Sequence, residues 1–241
     1  MANRLTKFLA CLVLLSTQLA ASGQDIVQNT VKHLCVLTYD AGQYQHKTTG
    51  TFVNVPPHQN IPQSDGVVVT CAHLLEDWDS PHGKMIYVDF RSGDRFMGKI
   101  ILLDRRGDIC LLHIKGRPNL TGVFFAGTPD RRGERRWHIG MEGAVRLRVE
   151  PSILTDTQVN YGDMVSLNRG SMSGMSGGPI IDPQGDVRGV ISASDEPMGV
   201  PTSQAHTIGC STKRMLETVG QLFPGVGDWK SRASSAPPPD S

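Results

Sequence analysis

The sequence predicts an all-β fold built from many short strands, with one helix near the carboxyl end. Short runs of apolar and β-branched residues recur through the body of the chain. Clusters of Gly, Pro, Asp and Asn separate these runs, as at residues 92–94, 106–108 and 182–186. The 241 residues include 26 glycines and 15 prolines, a composition that favours a turn-rich barrel or sandwich.

Eight segments have the length and composition of strands. In chain order they are residues 35–38, 66–70, 85–90, 99–103, 109–114, 123–126, 144–149 and 187–192. A helix is predicted over residues 213–222, because the apolar residues within it share one face. Thr212 is the expected cap of this helix, and Pro224 and Gly225 follow its end.

The first 23 residues are typical of a secretory signal peptide. Arg4 and Lys7 precede an apolar run over residues 8–15, and small residues fill positions 20–23. The run is far shorter than the ~20 residues that a membrane-spanning helix needs, which disfavours an uncleaved anchor. We expect cleavage near residues 21–23, a secreted or periplasmic mature protein, and no membrane attachment after cleavage.

Charge and residue spacing exclude several kinds of partner. The formal net charge of +1 is too small for a generally basic nucleic-acid binder. A local cluster of four arginines within residues 131–136 is interrupted by Glu134 and preceded by Asp130, so we interpret it as a solvent-exposed face. The histidines lack the spacing typical of a metal site, and no metal or cofactor is expected.

Three segments carry the residue types of nucleophilic catalysis. A buried-looking strand ends in His73, and a second apolar strand begins directly after Asp108. Ser176 lies among glycines just before a third strand. Each residue alone has an ordinary structural explanation as a turn or strand-end residue. Histidine, aspartate and serine together, in this order on a β-rich chain, indicate a catalytic site.

These residue types act together in acyl transfer. A serine hydroxyl is a weak nucleophile, so a base must take its proton as it attacks a carbonyl carbon. Neutral imidazole can do this near pH 7, and a carboxylate on the other ring nitrogen fixes its tautomer. The backbone N–H groups of Gly174 and Ser176 would bind the developing oxyanion, and one such donor is worth ~3–4 kcal/mol of the barrier.

The three motifs resemble the signatures of the trypsin/chymotrypsin-like serine proteases. They are Thr-Cys-Ala-His at 70–73, Asp-Ile-Cys-Leu-Leu at 108–112 and Gly-Met-Ser-Gly-Gly-Pro at 174–179. Residues 129–140 and 167–170 are similar to the bacterial HtrA-like (Deg) branch of that family. The resemblance covers about residues 30–222. It implies two antiparallel six-stranded β-barrels with a C-terminal helix.

The resemblance also implies a role for each motif residue. His73 would be the general base, Asp108 its orienting acid and Ser176 the nucleophile, with Gly174 and Ser176 forming the oxyanion hole. Asp104 is a rival for the acid, but Asp108 directly abuts the apolar strand, as the family pattern requires.

A substrate pocket follows from the same resemblance. Its base would be Gly170 and Ser171, and its walls would be Ser192, Ala193, Ser194 and Gly209. None of these residues is charged, which favours a small or medium apolar side chain before the scissile bond. Met175 stands where the digestive enzymes carry an aspartate that pairs with a newly formed N-terminus, so activation through that ion pair is not expected.

Four cysteines remain after signal removal, and they allow three disulfide pairings. They are Cys35, Cys71, Cys110 and Cys210. Cys71 and Cys110 flank the proposed catalytic residues at positions where the family usually has alanines. A disulfide between these two and a pair of buried free thiols both remain open.

These observations give a domain organisation and a function. Residues 1–23 are the expected signal peptide, and 24–229 the protease domain, with barrels over about 30–118 and 124–222. Residues 230–241, rich in Ser, Ala and Pro, are an expected disordered tail, which leaves no room for the PDZ domain common in the HtrA-like branch. We expect a secreted serine endopeptidase that cuts polypeptides through an acyl-enzyme.

Two alternatives remain. The first is a catalytically silent protease fold that binds peptides or misfolded chains. The second is a quality-control factor that holds misfolded chains as well as cutting them. The sequence does not determine the oligomeric state.

Overall fold

Two closed antiparallel β-barrels of six strands each follow one another along the chain. The structure, a computed structural model, describes residues 24–41, 44–73, 85–194 and 205–228. The two barrels and the helix after them confirm the predicted fold class. The predicted signal peptide and tail lie outside the described residues.

The first barrel follows a short helix, α1, at residues 24–31. Its strands are β1 (Leu34–Ala41), β2 (Tyr44–Val53), β3 (Gly66–Thr70), β4 (Met85–Phe90), β5 (Arg95–Asp104) and β6 (Ile109–Ile114). They are arranged in the order β1-β2-β3-β6-β5-β4, and pairing of β1 with β4 closes the barrel. The central β3–β6 pair places the ends of both strands, and the residues beyond them, side by side.

The second barrel precedes a helix, α2 (Thr212–Gly220). Its strands are β7 (Arg135–Glu142), β8 (Arg146–Val159), β9 (Met164–Leu167), β10 (Pro179–Ile181), β11 (Val187–Ser194) and β12 (Thr207–Cys210). The order around this barrel is β10-β11-β12-β9-β8-β7. Across the described ranges, the search for a helix long and apolar enough to cross a membrane finds none.

Residues 115–134 connect the two barrels, and one strand predicted within this connection is not formed. Residues 123–126 form only isolated bridges, from Val123 to Val53 of β2 and from Phe125 to Val187 of β11. The two bridges lead to different barrels and lie only two residues apart, so neither extends into a continuous pair of strands. A second correction concerns Ala144, which lies in a turn with φ of 61°, so that β8 begins two residues later than predicted.

Helix α2 has a different cap from the one predicted. The Ser211 side chain, and not that of Thr212, accepts the N–H of Arg214 at 3.2 Å. The Thr212 hydroxyl oxygen instead lies 2.7 Å from Asp130 Oδ1 and 2.8 Å from the Arg188 carbonyl oxygen, and its one proton is shared between these two acceptors. Thr212 thus anchors the start of the helix to the second barrel, and the helix ends at Gly220 rather than at residue 222.

Three apolar clusters form the core, and strand alternation decides which residues enter each one. In β3, Val68 points into the first barrel, whereas Val67 and Val69 point outward. The outward residues join the outer face of the second barrel and the two helices in one large cluster between the barrels. A third cluster fills the second barrel. Much of the surface where the barrels meet is therefore a buried apolar core.

Candidate active site

His73 and Asp108 lie together because β3 and β6 are paired. Thr70 at the end of β3 is opposite Cys110 near the start of β6. The residues just beyond β3 and just before β6 therefore meet at one edge of the first barrel. Asp108 adopts a left-handed backbone conformation with φ of 52°, uncommon for a residue with a side chain.

The Asp108 carboxylate fixes both the backbone and the ring of His73. Its Oδ1 accepts the N–H groups of Ala72 and His73 at 2.8 and 2.7 Å. Its Oδ2 lies 2.8 Å from Nδ1 of His73. Because an ionised carboxylate only accepts hydrogen bonds, Nδ1 carries the proton of the neutral ring and Nε2 carries the lone pair. This is the tautomer that a general base needs.

Ser192 makes a contact with this pair that the sequence did not predict. Its hydroxyl donates to Asp108 Oδ2, the oxygen that also accepts from His73. We had assigned Ser192 only to the wall of a substrate pocket. The carboxylate therefore receives four donors, three from the first barrel and one from β11 of the second.

The environment of His73 raises its pKa. Burial alone lowers the pKa of the imidazole, but the hydrogen bond to Asp108, the contact with Cys71 and the Asp108 charge together raise it above 6.5. The Cys71 sulfur lies 3.8 Å from Nε2 of His73. Burial also raises the pKa of the Cys71 thiol, which keeps this thiol uncharged, so the Asp108 carboxylate is the charged group that raises the pKa of His73.

Ser176 is held between the two barrels by its backbone. Its carbonyl accepts the Thr49 N–H of β2 at 3.1 Å and also the Thr48 hydroxyl. Its own hydroxyl donates to the Ser192 carbonyl at 3.1 Å. In the described part of the chain no hydrogen bond joins the Ser176 hydroxyl to His73. The serine is thus placed by β2 and β11, with its hydroxyl turned toward the carbonyl of β11.

The loop before Ser176 carries the two backbone N–H groups that the sequence predicts as oxyanion donors. The Ser173 carbonyl accepts the Gly143 N–H at 2.9 Å. In a trans peptide the carbonyl and the following N–H point in opposite directions, so this bond directs the Gly174 N–H away from Gly143. Within the described residues, neither Gly174 N–H nor Ser176 N–H donates a hydrogen bond. Both donors are therefore free to bind an oxyanion.

Met175 anchors this loop through its side chain. It is fully buried in the cluster inside the second barrel, against residues such as Leu167 and Ile191. Its sulfur also accepts the Met172 N–H at 3.3 Å. Met175 thus makes apolar contacts at the position where the digestive enzymes carry an ion-pairing aspartate.

Asp104, the rival for the orienting acid, lies in a different network. Its carboxylate accepts from Arg214 at 2.7 Å through both oxygens, and from the Thr218 hydroxyl at 2.7 Å. Burial raises the pKa of Asp104, but the bonds from Arg214 and Thr218 lower it by more, so that the net shift is downward. Asp104 therefore ties α2 to the first barrel and does not contact His73.

The residues predicted to form the substrate pocket lie on neighbouring segments. Ala193 and Ser194 pair with Ile208 and Thr207 of β12, and the Thr207 hydroxyl reaches the Arg169 carbonyl, next to Gly170, at 2.6 Å. Ser171 is buried, and Ser192, Ala193 and Ser194 are at least partly accessible. A Cβ on Gly209 would meet Ile180 and the Val190 carbonyl, so its free face is directed at the interior of the barrel.

A buried histidine supports the predicted base of this pocket. His138 is fully buried, with Nε2 3.3 Å from the Gly170 carbonyl and Nδ1 2.9 Å from the Ser152 hydroxyl. Burial lowers the pKa of His138 to about 4, so its ring is neutral at physiological pH. No sequence motif indicates this role, because His138 and its partners Ser152 and Gly170 lie in three separate segments.

All four cysteines of the described chain are free and buried. Cys71 belongs to the cluster between the barrels, whereas Cys110 points into the first barrel. Their side chains therefore lie on opposite faces of the β3–β6 pair, and they do not form the disulfide that we had left open. Within the same described residues, no group of three or more His, Cys, Asp and Glu side chains is arranged to hold a metal ion.

A cavity of about 390 Å³ adjoins the His73–Asp108 pair. It is open to solvent and lies between the end of β5, the end of β11 and the segment before β9. His73, Arg105, Arg106, Asn160, Ser192 and Ala193 contribute to its lining. The cavity shares Ser192 and Ala193 with the predicted substrate pocket.

Comparison with known sequences agrees with this arrangement. The family model of the trypsin-like peptidase domain matches residues 49–190, a range that includes His73, Asp108 and Ser176. The chain belongs to the trypsin-like peptidase family. The match spans both barrels, from β2 into β11.

Two curated relatives of this trypsin-like chain are named as periplasmic proteases. A DegP-like serine endoprotease of Chlamydia muridarum is 29% identical over 141 residues, which are 55% of this chain and 27% of the relative. A do/HhoA-like serine protease of Haemophilus influenzae is 25% identical over 182 residues, 69% of this chain and 37% of the relative. The matched part of the chain therefore spans well under half the length of either relative.

Solved structures show the same fold. The HtrA-type protease AlgW, determined with a tripeptide, superposes with a TM-score of 0.67 at 20% sequence identity. The match covers 83% of this chain and 63% of AlgW. The match shows that this chain and AlgW share the two-barrel fold.

Proposed function

We propose that the chain is a serine endopeptidase in which His73, Asp108 and Ser176 form the catalytic triad. The observation that carries the proposal is the Asp108 carboxylate, which accepts from His73 Nδ1 and from the Ser192 hydroxyl while the Ser192 carbonyl accepts from Ser176. One carboxylate and one residue of β11 thus connect the base to the nucleophile. Membership of the trypsin-like family and the names of both relatives support the same activity.

The proposed reaction begins with a change of the Ser176 rotamer. Rotation about the Cα–Cβ bond releases the hydroxyl from the Ser192 carbonyl and directs it to His73 Nε2. Nε2 takes the proton as the Ser176 oxygen attacks the substrate carbonyl, and Asp108 stabilises the imidazolium that forms. The N–H groups of Gly174 and Ser176 bind the oxyanion. His73 then protonates the leaving amine, and a water molecule hydrolyses the acyl-enzyme by the same steps.

The proposed substrate is a polypeptide with a small or medium apolar side chain before the scissile bond. The absence of charge at Gly170, Ser171, Ser192, Ala193, Ser194 and Gly209 supports this preference. Neutral His138, which lies behind Gly170, adds no charge to the pocket base. Digestion of a denatured protein followed by mass spectrometry tests it, since frequent cleavage after Lys or Arg would contradict a neutral pocket.

We further propose that the protein acts outside the cytoplasm, with a signal peptide over residues 1–23, a protease domain over 24–229 and a tail over 230–241. Both relatives are named as periplasmic. The α1 residues Val27 and Val31 pack into the core between the barrels, which supports a folded domain that starts close to residue 24. Amino-terminal sequencing of the protein from a culture supernatant or periplasmic extract tests the cleavage site.

Peptide binding without cleavage is the second candidate function. One observation favours it, namely that the Ser176 hydroxyl donates to the Ser192 carbonyl rather than to His73. A fluorophosphonate probe distinguishes the two functions, because it labels a serine only when base and oxyanion hole are assembled. Labelling of the wild type and not of Ser176→Ala supports the enzyme. A folded wild type that stays unlabelled contradicts it.

A further inference from the structure

The loop that delivers Asp108 also delivers two arginines to the cavity beside His73. Arg105 and Arg106 precede Asp108 by three and two positions, and both line the cavity of about 390 Å³. Both are exposed, so they lie in the cavity mouth rather than in the core. The net charge of this cavity therefore depends on which arginines are already paired with acids.

Three acids of the described segments lie near the cavity, and each of them is already engaged. Asp108 is hydrogen-bonded to His73, and Asp104 accepts two hydrogen bonds from the Arg214 guanidinium. Asp163 forms an ion pair with Arg106. Each of these carboxylates thus has its own cationic or hydrogen-bonding partner.

Arg105 differs from Arg106 and Arg214 in this respect. Among the residues that the structure describes, no carboxylate lies within ion-pairing distance of its guanidinium, and its side chain makes no hydrogen bond. Asn160, on the other side of the cavity, is also exposed and offers a side-chain amide as a second donor. The cavity therefore presents an unneutralised cation and an amide next to the proposed general base.

We propose that this cavity is a subsite for an acidic side chain of the polypeptide substrate, with Arg105 as its main ligand. A guanidinium can donate two parallel hydrogen bonds to a carboxylate, which gives geometric selectivity as well as attraction. The inference rests on the proposed function. Because the cavity shares Ser192 and Ala193 with the predicted pocket for the side chain before the scissile bond, the acidic residue lies two to four positions before that bond.

The size of the cavity fits this role. A volume of about 390 Å³ accommodates a Glu side chain together with some water. The site is open to solvent, so the interaction is screened and its strength is moderate. We expect a selectivity of about twofold to fivefold for Glu over Gln at the best position, decreasing as salt is added.

The test uses decapeptides with Val at the central position and Glu, Gln or Lys at one of the three positions that lie two to four residues before the scissile bond. We expect kcat/KM to be highest for one Glu peptide. Arg105→Gln should remove the preference, and Arg105→Glu should reverse it toward Lys. Arg132→Gln is the matched control, since Arg132 is an exposed arginine that does not line the cavity.

Binding of the same peptides to Ser176→Ala, measured by fluorescence anisotropy, keeps this test independent of catalysis. A Glu preference in binding that Arg105→Gln abolishes supports the subsite, even if the wild type cuts no peptide and the proposed function fails. Equal binding and equal cleavage of Glu and Gln peptides overturns the subsite, even where cleavage by Ser176 is confirmed. A preference that survives in Arg105→Gln also overturns it.

Discussion

The hydroxyl of Ser192 donates to Oδ2 of Asp108, although the two residues are 84 positions apart and belong to different barrels. The same oxygen accepts from Nδ1 of His73, and the Ser192 carbonyl accepts from Ser176. A single residue of β11 therefore contacts both the proposed orienting acid and the proposed nucleophile. The position of the acid is set across the boundary between the barrels.

Ser192→Ala should lower kcat while leaving the protein folded. The substitution removes one donor to the Asp108 carboxylate and keeps the backbone carbonyl that contacts Ser176. A hydrogen bond to a charged group contributes about 1.5–3 kcal/mol, so we expect kcat to fall by about tenfold or more. Steady-state kinetics and circular dichroism measure the two effects. The control is Ser166→Ala on β9, which removes a hydroxyl contact with His206. An equal loss of kcat in both variants would show a general effect of packing.

The activity should depend on pH through His73. Since the pKa of His73 is raised and the base must be neutral, kcat/KM should rise with pH and reach its plateau well above pH 6.5. Asp108→Asn removes the carboxylate that raises this pKa, so the midpoint should move to lower pH while the rate falls by about 10³–10⁴-fold. A pH–rate profile of both proteins checks this. An unchanged midpoint in Asp108→Asn would mean that another group controls the titration.

The same shift has a consequence for stability. A pKa that is raised in the folded state means that protonated His73 stabilises the fold below about pH 6.5, and that this contribution is lost as the pH rises through the folded-state pKa. His73→Ala should therefore lose more stability relative to the wild type at pH 6 than at strongly alkaline pH. Thermal unfolding at the two pH values measures the difference.

Gly174→Ala should abolish the oxyanion hole. Gly174 has φ of 88°, and a Cβ there would lie 2.7 Å from the Met141 carbonyl oxygen and 2.9 Å from the Gly143 nitrogen. The loop must shift to relieve this contact, and loss of one oxyanion donor costs about 10²–10³-fold in kcat. Gly133→Ala is a matched control, because Gly133 has the same φ but open space around it. Comparable kcat losses in both variants would contradict a role specific to Gly174.

Met175→Ala should destabilise the protein and slow labelling of Ser176. The side chain is fully buried against the apolar cluster of the second barrel, and truncation of a buried methionine costs about 2–5 kcal/mol. Met97→Ala is the control, since Met97 is 47% exposed on β5. Chemical denaturation gives the free energy of unfolding, and fluorophosphonate labelling rates give the state of the loop. Met175→Leu should restore most of both, and its failure to do so would assign the effect to the bond from Met172 to the sulfur.

The strands with regular apolar patterns could be predicted from the sequence, and those with polar patterns could not. β3 and β6 are continuous apolar runs because both of their faces are buried, one in a barrel and one between the barrels. β2 was missed because residues 45–49 within it are all polar. Thr48 and Thr49 are nevertheless buried, since their backbone and hydroxyl groups hold the loop that carries Ser176.

The candidate site shows the same division. His73, Asp108 and Ser176 could be predicted because each lies at the junction of an apolar strand with a turn. The contacts of Ser192 with Asp108 and of His138 with Gly170 could not, because each joins segments distant in sequence and neither residue stands in a distinctive motif. Cys71 and Cys110 also required the register of β3 with β6, which places them on opposite faces.

The connection between the barrels has a consequence for how the site is kept in register. It pairs in parallel with one strand of each barrel, through Val123 and Phe125, and these two residues are themselves buried in the shared core. The connection thus contacts both barrels at once and helps to fix their spacing. We expect His73 and Ser176, the proposed base and nucleophile, to stay aligned after a cut in this connection, because hydrogen bonds and packing would still hold the two barrels together.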